Sequence, residues 1–158
     1  MPAIVEQGGE VLKFMGDGLL AIFPIGQGAD NAAVCAAALK AAHATRAEVA
    51  ALRAAGGDGA AVRFGLALHL GDVLYGNIGS GNRLDFTCIG PAVNLAARLE
   101  KLAASLGRTI ILSAEFAQHS RVDLEPLGEF AVAGFAAAQR TFGLRAGSAV
   151  KPAGGDNL

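Results

Sequence analysis

Arg83-Leu84-Asp85-Phe86-Thr87-Cys88-Ile89-Gly90-Pro91-Ala92-Val93-Asn94-Leu95-Ala96-Ala97-Arg98-Leu99 reads as a strand running directly into a helix. Leu84 to Ile89 is an extended run that ends at Gly90, and Pro91 opens a helix. Proline suits that place because its φ is preset for the first helical turn and no needed N–H is lost there. Asn94 and Arg98 are four residues apart, so they project from one helix face close to its N-terminus. An amide and a guanidinium beside the positive end of a helix suit a phosphorylated ligand.

Working outward, the same alternation of short strands and helices continues. Glu10–Phe14 and Leu19–Phe23 read as strands around Gly16-Asp17-Gly18, a turn in which glycine tolerates positive φ. Asp30 can cap a helix that ends near Gly56-Gly57. Val62, Phe64, Leu66, Leu68 and Leu70 alternate with Arg63, Gly65, Ala67 and His69, the period of a half-buried strand. That strand is expected to continue through a glycine-bent segment, Asp72–Ile78, and to pair with Leu84–Ile89. His69, off the apolar face, reads as an ordinary polar residue. Pro91 to about Leu106 is helical with Gly107 as its stop, Thr109–Leu112 is a strand, and Ser113 caps a short helix. Glu129–Val132 and Arg140–Leu144 are expected late strands. The expectation is an α+β domain over residues 1–145, followed by a disordered tail, 146–158, rich in Gly, Pro and Asp.

Composition narrows the class. The chain has 158 residues, enough for one domain with a real core. Thirteen Lys and Arg face fourteen Asp and Glu for a net charge of −1, which argues against non-specific nucleic-acid binding. The alanine-rich stretch Asn31–Ala55 carries Lys40, His43, Arg46, Glu48 and Arg53, so it is no membrane span. No signal peptide opens the chain. Cys35 and Cys88 show neither metal spacing nor a CxxC motif and read as buried reduced thiols. These features suggest a cytoplasmic domain.

The 83–99 segment resembles the signature of the class III adenylate/guanylate cyclases, in which a strand, a Gly-x-x-Val-Asn turn and an Ala-x-Arg helix build half of a nucleotide site. Two further stretches resemble that family in the right order. Gly8-Gly9-Glu10-Val11-Leu12-Lys13-Phe14-Met15-Gly16-Asp17-Gly18 is similar to its metal-binding hairpin. Phe64 to Val73, with Gly76-Asn77-Ile78-Gly79, is similar to its central strand and the following turn. The resemblance spans about Gly8 to Leu144 and implies a ferredoxin-like βαββαβ core. It also implies that this chain lacks the family's first strand and helix: a βαβ unit takes roughly 30 residues, and seven precede Gly8.

By the same resemblance the activity is conversion of ATP to cyclic AMP and pyrophosphate. The 3′-oxygen attacks the α-phosphorus with two-metal assistance at a homodimer interface. Asp17 would bind Mg²⁺ or Mn²⁺, the family's second metal carboxylate lying in the missing strand. Lys13, four residues before Asp17, stands where adenylate-forming members read the adenine N1. Thr87, seven before Asn94, stands where many members place Asp and a bacterial subgroup places Thr, whose hydroxyl can bond the adenine amino group. Guanylate-selective members typically put Glu and Cys at those two places, so Lys13 and Thr87 together imply ATP. Asn94 would position the ribose, and Arg98 would stabilise negative charge on the pentavalent phosphorus.

Read without the family, Asp17 is a turn aspartate, Lys13 a solvated strand residue, Thr87 an ordinary β-branched strand residue and Arg98 a surface cation. The chain departs from the pattern at Pro91, where relatives usually have Asp or Asn. It departs again at Ala133, within a Val-Ala-Gly that resembles a Val-Lys-Gly whose lysine holds terminal phosphates. Arg140 is a candidate replacement for that charge. The expected partners are ATP and a second copy of the chain, with no nucleic acid and no membrane, and a regulatory or sensor domain is possible in a longer protein. The alternatives are a catalytically silent cyclase-homology domain that binds nucleotide or a partner, and a generic ferredoxin-like interaction module.

Overall fold

Residues 2–15, 18–56, 65–78 and 85–144 are described by the computed structural model. The elements in order are α1 (Pro2–Glu6), β1 (Glu10–Met15), β2 (Gly18–Ile22), α2 (Asn31–Ala54), β3 (Leu66–Leu68), β4 (Leu74–Ile78), β5 (Asp85–Ile89), α3 (Pro91–Ser105), β6 (Ile110–Ser113), α4 (Ala114–Ala117), β7 (Leu124–Phe130) and β8 (Gln139–Leu144). The α+β expectation holds.

The core is organised around β6, whose four residues are all buried. Successive strand side chains point to opposite faces. Ile110 and Leu112 accordingly join Cys35, Ala38, Leu39 and Ala42 of α2 in one cluster. Ile111 joins Leu95, Leu99 and Ala103 of α3 in a second. Covered on both faces, β6 has an unbroken apolar run instead of an alternating one. Its sheet runs β3-β6-β8-β7. β3 is parallel to β6, and the β6–β8 and β7–β8 pairs are antiparallel. Leu99 and Ile111 are fully buried, and each such side chain contributes roughly 1.5–3 kcal/mol relative to exposure.

Most expected boundaries hold within a residue or two. Asp30 caps α2, its Oδ1 accepting from Ala32 N at 3.1 Å. Ser113 caps α4, its Oγ accepting from Phe116 N at 3.2 Å. Gly107, at φ +67°, follows the end of α3.

Three expectations need correction. The strand expected from Val62 is described as β3 alone, residues 57–64 lying outside the described set. It does not continue into Asp72–Ile78. The ladder breaks after Leu68, and β4 joins β5 in a separate ribbon with Leu74 opposite Ile89 and Ile78 opposite Asp85. Beyond the break, Gly71 passes close to the start of α3, where a Cβ would lie 2.8 Å from Ala92 Cβ. The first late strand is Leu124–Phe130, not Glu129–Val132. Pro126 argues against a strand in sequence, yet β7 is the sheet edge, where a missing donor costs no pairing, and its register shifts between Pro126 and Gly128. Finally, α1 has no counterpart in the sequence expectation, since five residues are too few for a visible hydrophobic period. Residues 145–158, which include the expected tail, lie outside the described set.

Candidate functional site

Gly90 joins β5 to α3 at φ +141° and ψ 172°, a conformation that favours glycine. Pro91 takes the first helical position, and Gly90 O accepts from Val93 N at 3.1 Å and Asn94 N at 3.3 Å. The buried stripe Leu95–Leu99–Ala103 fixes the rotation of α3 against the sheet. Asn94 and Arg98, each one residue ahead of a buried leucine, are therefore exposed together on the outer face. Arg98 makes no ion pair with another described residue.

β1 packs against β5, and β5 leads through Gly90 into α3. The sequence positions of Lys13 in β1, Thr87 in β5 and Asn94 with Arg98 in α3 thus lie on three adjoining elements. In register, Lys13 stands opposite Leu20, and Thr87 stands opposite Gly76. Asp17 lies outside the described residues, in the two-residue connection between Met15 and Gly18, which pair as the ends of β1 and β2.

Among the described residues, no group of three or more His, Cys, Asp or Glu side chains is arranged to hold a metal ion. Hard divalent cations take several oxygen ligands. Asp17, the ligand expected by resemblance, lies outside the described residues.

Ala133 is exposed in the connection after β7, whose Val132 and Phe135 pack on the α3 side of the sheet. Arg140 does not supply the missing charge there. Its guanidinium lies 5.7 Å from the Phe142 ring centroid and 4.0 Å from Glu129 Oε1. Phe142 packs with the α2 cluster, so Arg140 belongs to the opposite face. Two open cavities of about 210 and 230 Å³ also lie elsewhere, and none of Lys13, Thr87, Asn94 or Arg98 lines them. One of them is lined by Arg46, Arg108 and Thr109.

His69 is not the ordinary polar residue expected from its strand position. Its side chain is 8% exposed, with Nδ1 2.8 Å from Ser113 Oγ and 3.7 Å from Glu115 Oε2. Ser113 Oγ accepts from Phe116 N and also hydrogen-bonds His69 Nδ1, so one hydroxyl holds both the helix cap and the ring. Burial lowers the His69 pKa, against the opposing pull of Glu115. The unfolded chain therefore binds the proton more readily. The stabilisation from His69 is complete above its unfolded pKa, about 6.5, and is lost as pH falls through the lower folded value. The melting temperature should drop between pH 7.5 and 5.5, and His69→Gln should flatten that slope. An equal slope in the variant would show that other groups set it.

The comparisons with known proteins meet this geometry directly. A bacterial light-regulated adenylyl cyclase superposes at a TM-score of 0.78 over 90% of this chain and 41% of that one, at 28% identity. The adenylate cyclase of Anabaena cylindrica is 33% identical over 112 residues, 70% of this chain and 22% of that protein. The chain belongs to the class III adenylyl/guanylyl cyclase domain family. The ferredoxin-like core expected from the sequence comes with that membership. The terminal-differentiation-specific adenylate cyclase of Dictyostelium discoideum is 32% identical over 113 residues, 72% of this chain but 5% of that protein. This cyclase domain thus spans a small part of the curated relatives it matches. No protein-family model matches it. Among the described residues, no helix is long and apolar enough to cross a membrane.

Sequence reasoning missed two polar contacts beside these elements, His69–Ser113 and Tyr75–Glu10. Gly-Gly-Glu, the start of the hairpin signature, flagged Glu10 but not its partner.

Proposed function

We propose that this domain binds ATP on the side formed by β1, β5 and the first turns of α3, and that its family reaction is cyclisation to cyclic AMP. In that reaction a bond forms between the 3′-oxygen and the α-phosphorus. The bond from the α-phosphorus to the bridging oxygen breaks, and pyrophosphate leaves with the electron pair while the 3′-hydroxyl loses its proton. Lys13 and Thr87 read the adenine edge, Asn94 holds the ribose, and Arg98 offsets charge growing on the α-phosphoryl oxygens. The observation that carries this assignment is the shared exposure of Asn94 and Arg98 at a glycine-proline helix start directly after the Thr87 strand.

The site lies at the interface of two copies. The β4–β5 ribbon turns Val73, Leu74 and Ile89 to solvent, with Leu74 65% exposed beside its register partner Ile89 at 44%. Apolar residues grouped this way favour a covering chain. Mg²⁺ or Mn²⁺ would be the cofactor, with Asp17 as a ligand, and would supply charge neutralisation at the phosphates. Ala133 and the far-side position of Arg140 favour a second reading for the isolated chain, a nucleotide-binding homology domain without turnover.

The purified 158-residue protein, supplied with ATP and Mn²⁺, should bind nucleotide and sediment as a dimer at high micromolar concentration, yet form little or no cyclic AMP. Robust turnover free of host cyclase would overturn the second reading. A stable monomer would remove the interface.

A further inference from the structure

A side-chain contact links the β1–β2 and β4–β5 ribbons, which also meet where β1 packs against β5. Tyr75 Oη donates a hydrogen bond to Glu10 Oε2 at 2.7 Å. Tyr75 lies in β4 opposite Cys88 of β5; Cys88 is 2% exposed, while Tyr75, at 39%, meets Glu10 at the surface. The other face carries the exposed Leu74 and Ile89.

Among the described residues, β4–β5 and β1–β2 are each two-stranded sheets with no backbone ladder between them. An isolated two-stranded ribbon is marginal in water. Their relative placement therefore depends on side-chain contacts, and a phenol bonded to a carboxylate is among the stronger ones available. Glu10 lies three residues before Lys13 in β1, and Tyr75 precedes Gly76, the register partner of Thr87. The bond thus ties β1, which carries Lys13, to β4, the ladder partner of the strand that carries Thr87.

We propose that Tyr75 and Glu10 form a latch: two positioning residues that set the separation of the Lys13 and Thr87 strands and thereby the preference for adenine over guanine. This inference rests on the nucleotide reading given above. Discrimination between purines requires donors and acceptors held at fixed spacing, because a mismatched edge leaves polar groups unpaired. Releasing the latch lets the β4–β5 ribbon shift against β1 while α3, held by its own buried stripe, stays in place. Base preference should then decline with little loss of phosphate grip.

The protein offers an unusually clean probe, since Tyr75 is its one tyrosine and it has no tryptophan. Near-ultraviolet absorbance therefore titrates this phenol alone. The hydrogen bond to Glu10, foremost, holds the Tyr75 pKa above its ordinary value. In Glu10→Gln the absorbance midpoint should fall toward the usual tyrosine value of about 10, with circular dichroism confirming a folded chain. Competition of unlabelled ATP and GTP against a fluorescent N-methylanthraniloyl ATP supplies the second readout. Tyr75→Phe, which keeps the ring, and Glu10→Gln should each lower the ratio of ATP to GTP affinity about three- to tenfold, the range of an ordinary net hydrogen bond at an exposed position.

A wild-type phenol that titrates in the ordinary range would overturn the latch itself. An unchanged affinity ratio in both folded variants would overturn its role in base choice, leaving a purely structural contact. Wild-type protein that binds neither nucleotide would overturn the nucleotide reading and this role with it, while the phenol titration would still report separately whether the bond forms.

Discussion

Arg98→Ala is expected to lower kcat by about two to three decades, the loss seen when a donor aimed at transition-state charge is removed, with a smaller change in KM. This measurement and the next are made on a form of the domain with measurable turnover, assayed with ATP and Mn²⁺. The magnitude follows from placement. Arg98 sits one turn beyond Asn94 on the exposed face of α3, with Leu99 fully buried behind it. Nothing described neutralises its charge, and truncation removes no core contact, so the fold should survive. A variant with unchanged kcat would take Arg98 out of the reaction.

The second large effect concerns the base. Lys13→Glu combined with Thr87→Cys should erode the preference for ATP over GTP, since the donor and acceptor edges of adenine and guanine differ and unpaired polar groups are penalised. The quantity to compare is the ratio of kcat/KM for the two nucleotides, because absolute rates fall if either side chain also aids folding. A ratio held at the wild-type value would show that β1 and β5 do not read the base. The latch substitutions differ from this pair in kind: they leave Lys13 and Thr87 in place and alter only the strands' spacing.

Much of the architecture is legible because local signals agree with global ones. Gly90-Pro91 marks the strand-to-helix junction, and the i, i+4 spacing of Leu95 and Leu99 sets which face of α3 is buried, hence which face carries Asn94 and Arg98. Ile110, Ile111 and Leu112 reveal a fully buried strand, though not which helix each one meets. The illegible parts depend on contacts between distant residues. The close approach of Gly71 to Ala92, twenty-one positions away in sequence, is invisible as a local pattern. β7 is hidden by Pro126, which is tolerated because that strand is an edge. His69 alternates out of its apolar row and looks solvated, yet Ser113, forty-four residues on, holds it inside. The Tyr75–Glu10 bond spans sixty-five residues and carries no motif.

For the candidate site the limits are similar. The elements bearing Lys13, Thr87, Asn94 and Arg98 come together as their spacing implies. Arg140 shows the opposite case. Sequence offers it as a stand-in for the charge absent at Ala133, while strand parity places it beside Phe142 on the other face of the sheet.

Hydrogen–deuterium exchange of the 158-residue protein with and without ATP tests the location of the nucleotide site most directly. Protection on binding should appear in β1, in β5 and across Gly90–Arg98. Protection confined to the cavity lined by Arg46, Arg108 and Thr109, or none at saturating ATP, would contradict a nucleotide site on β1, β5 and α3.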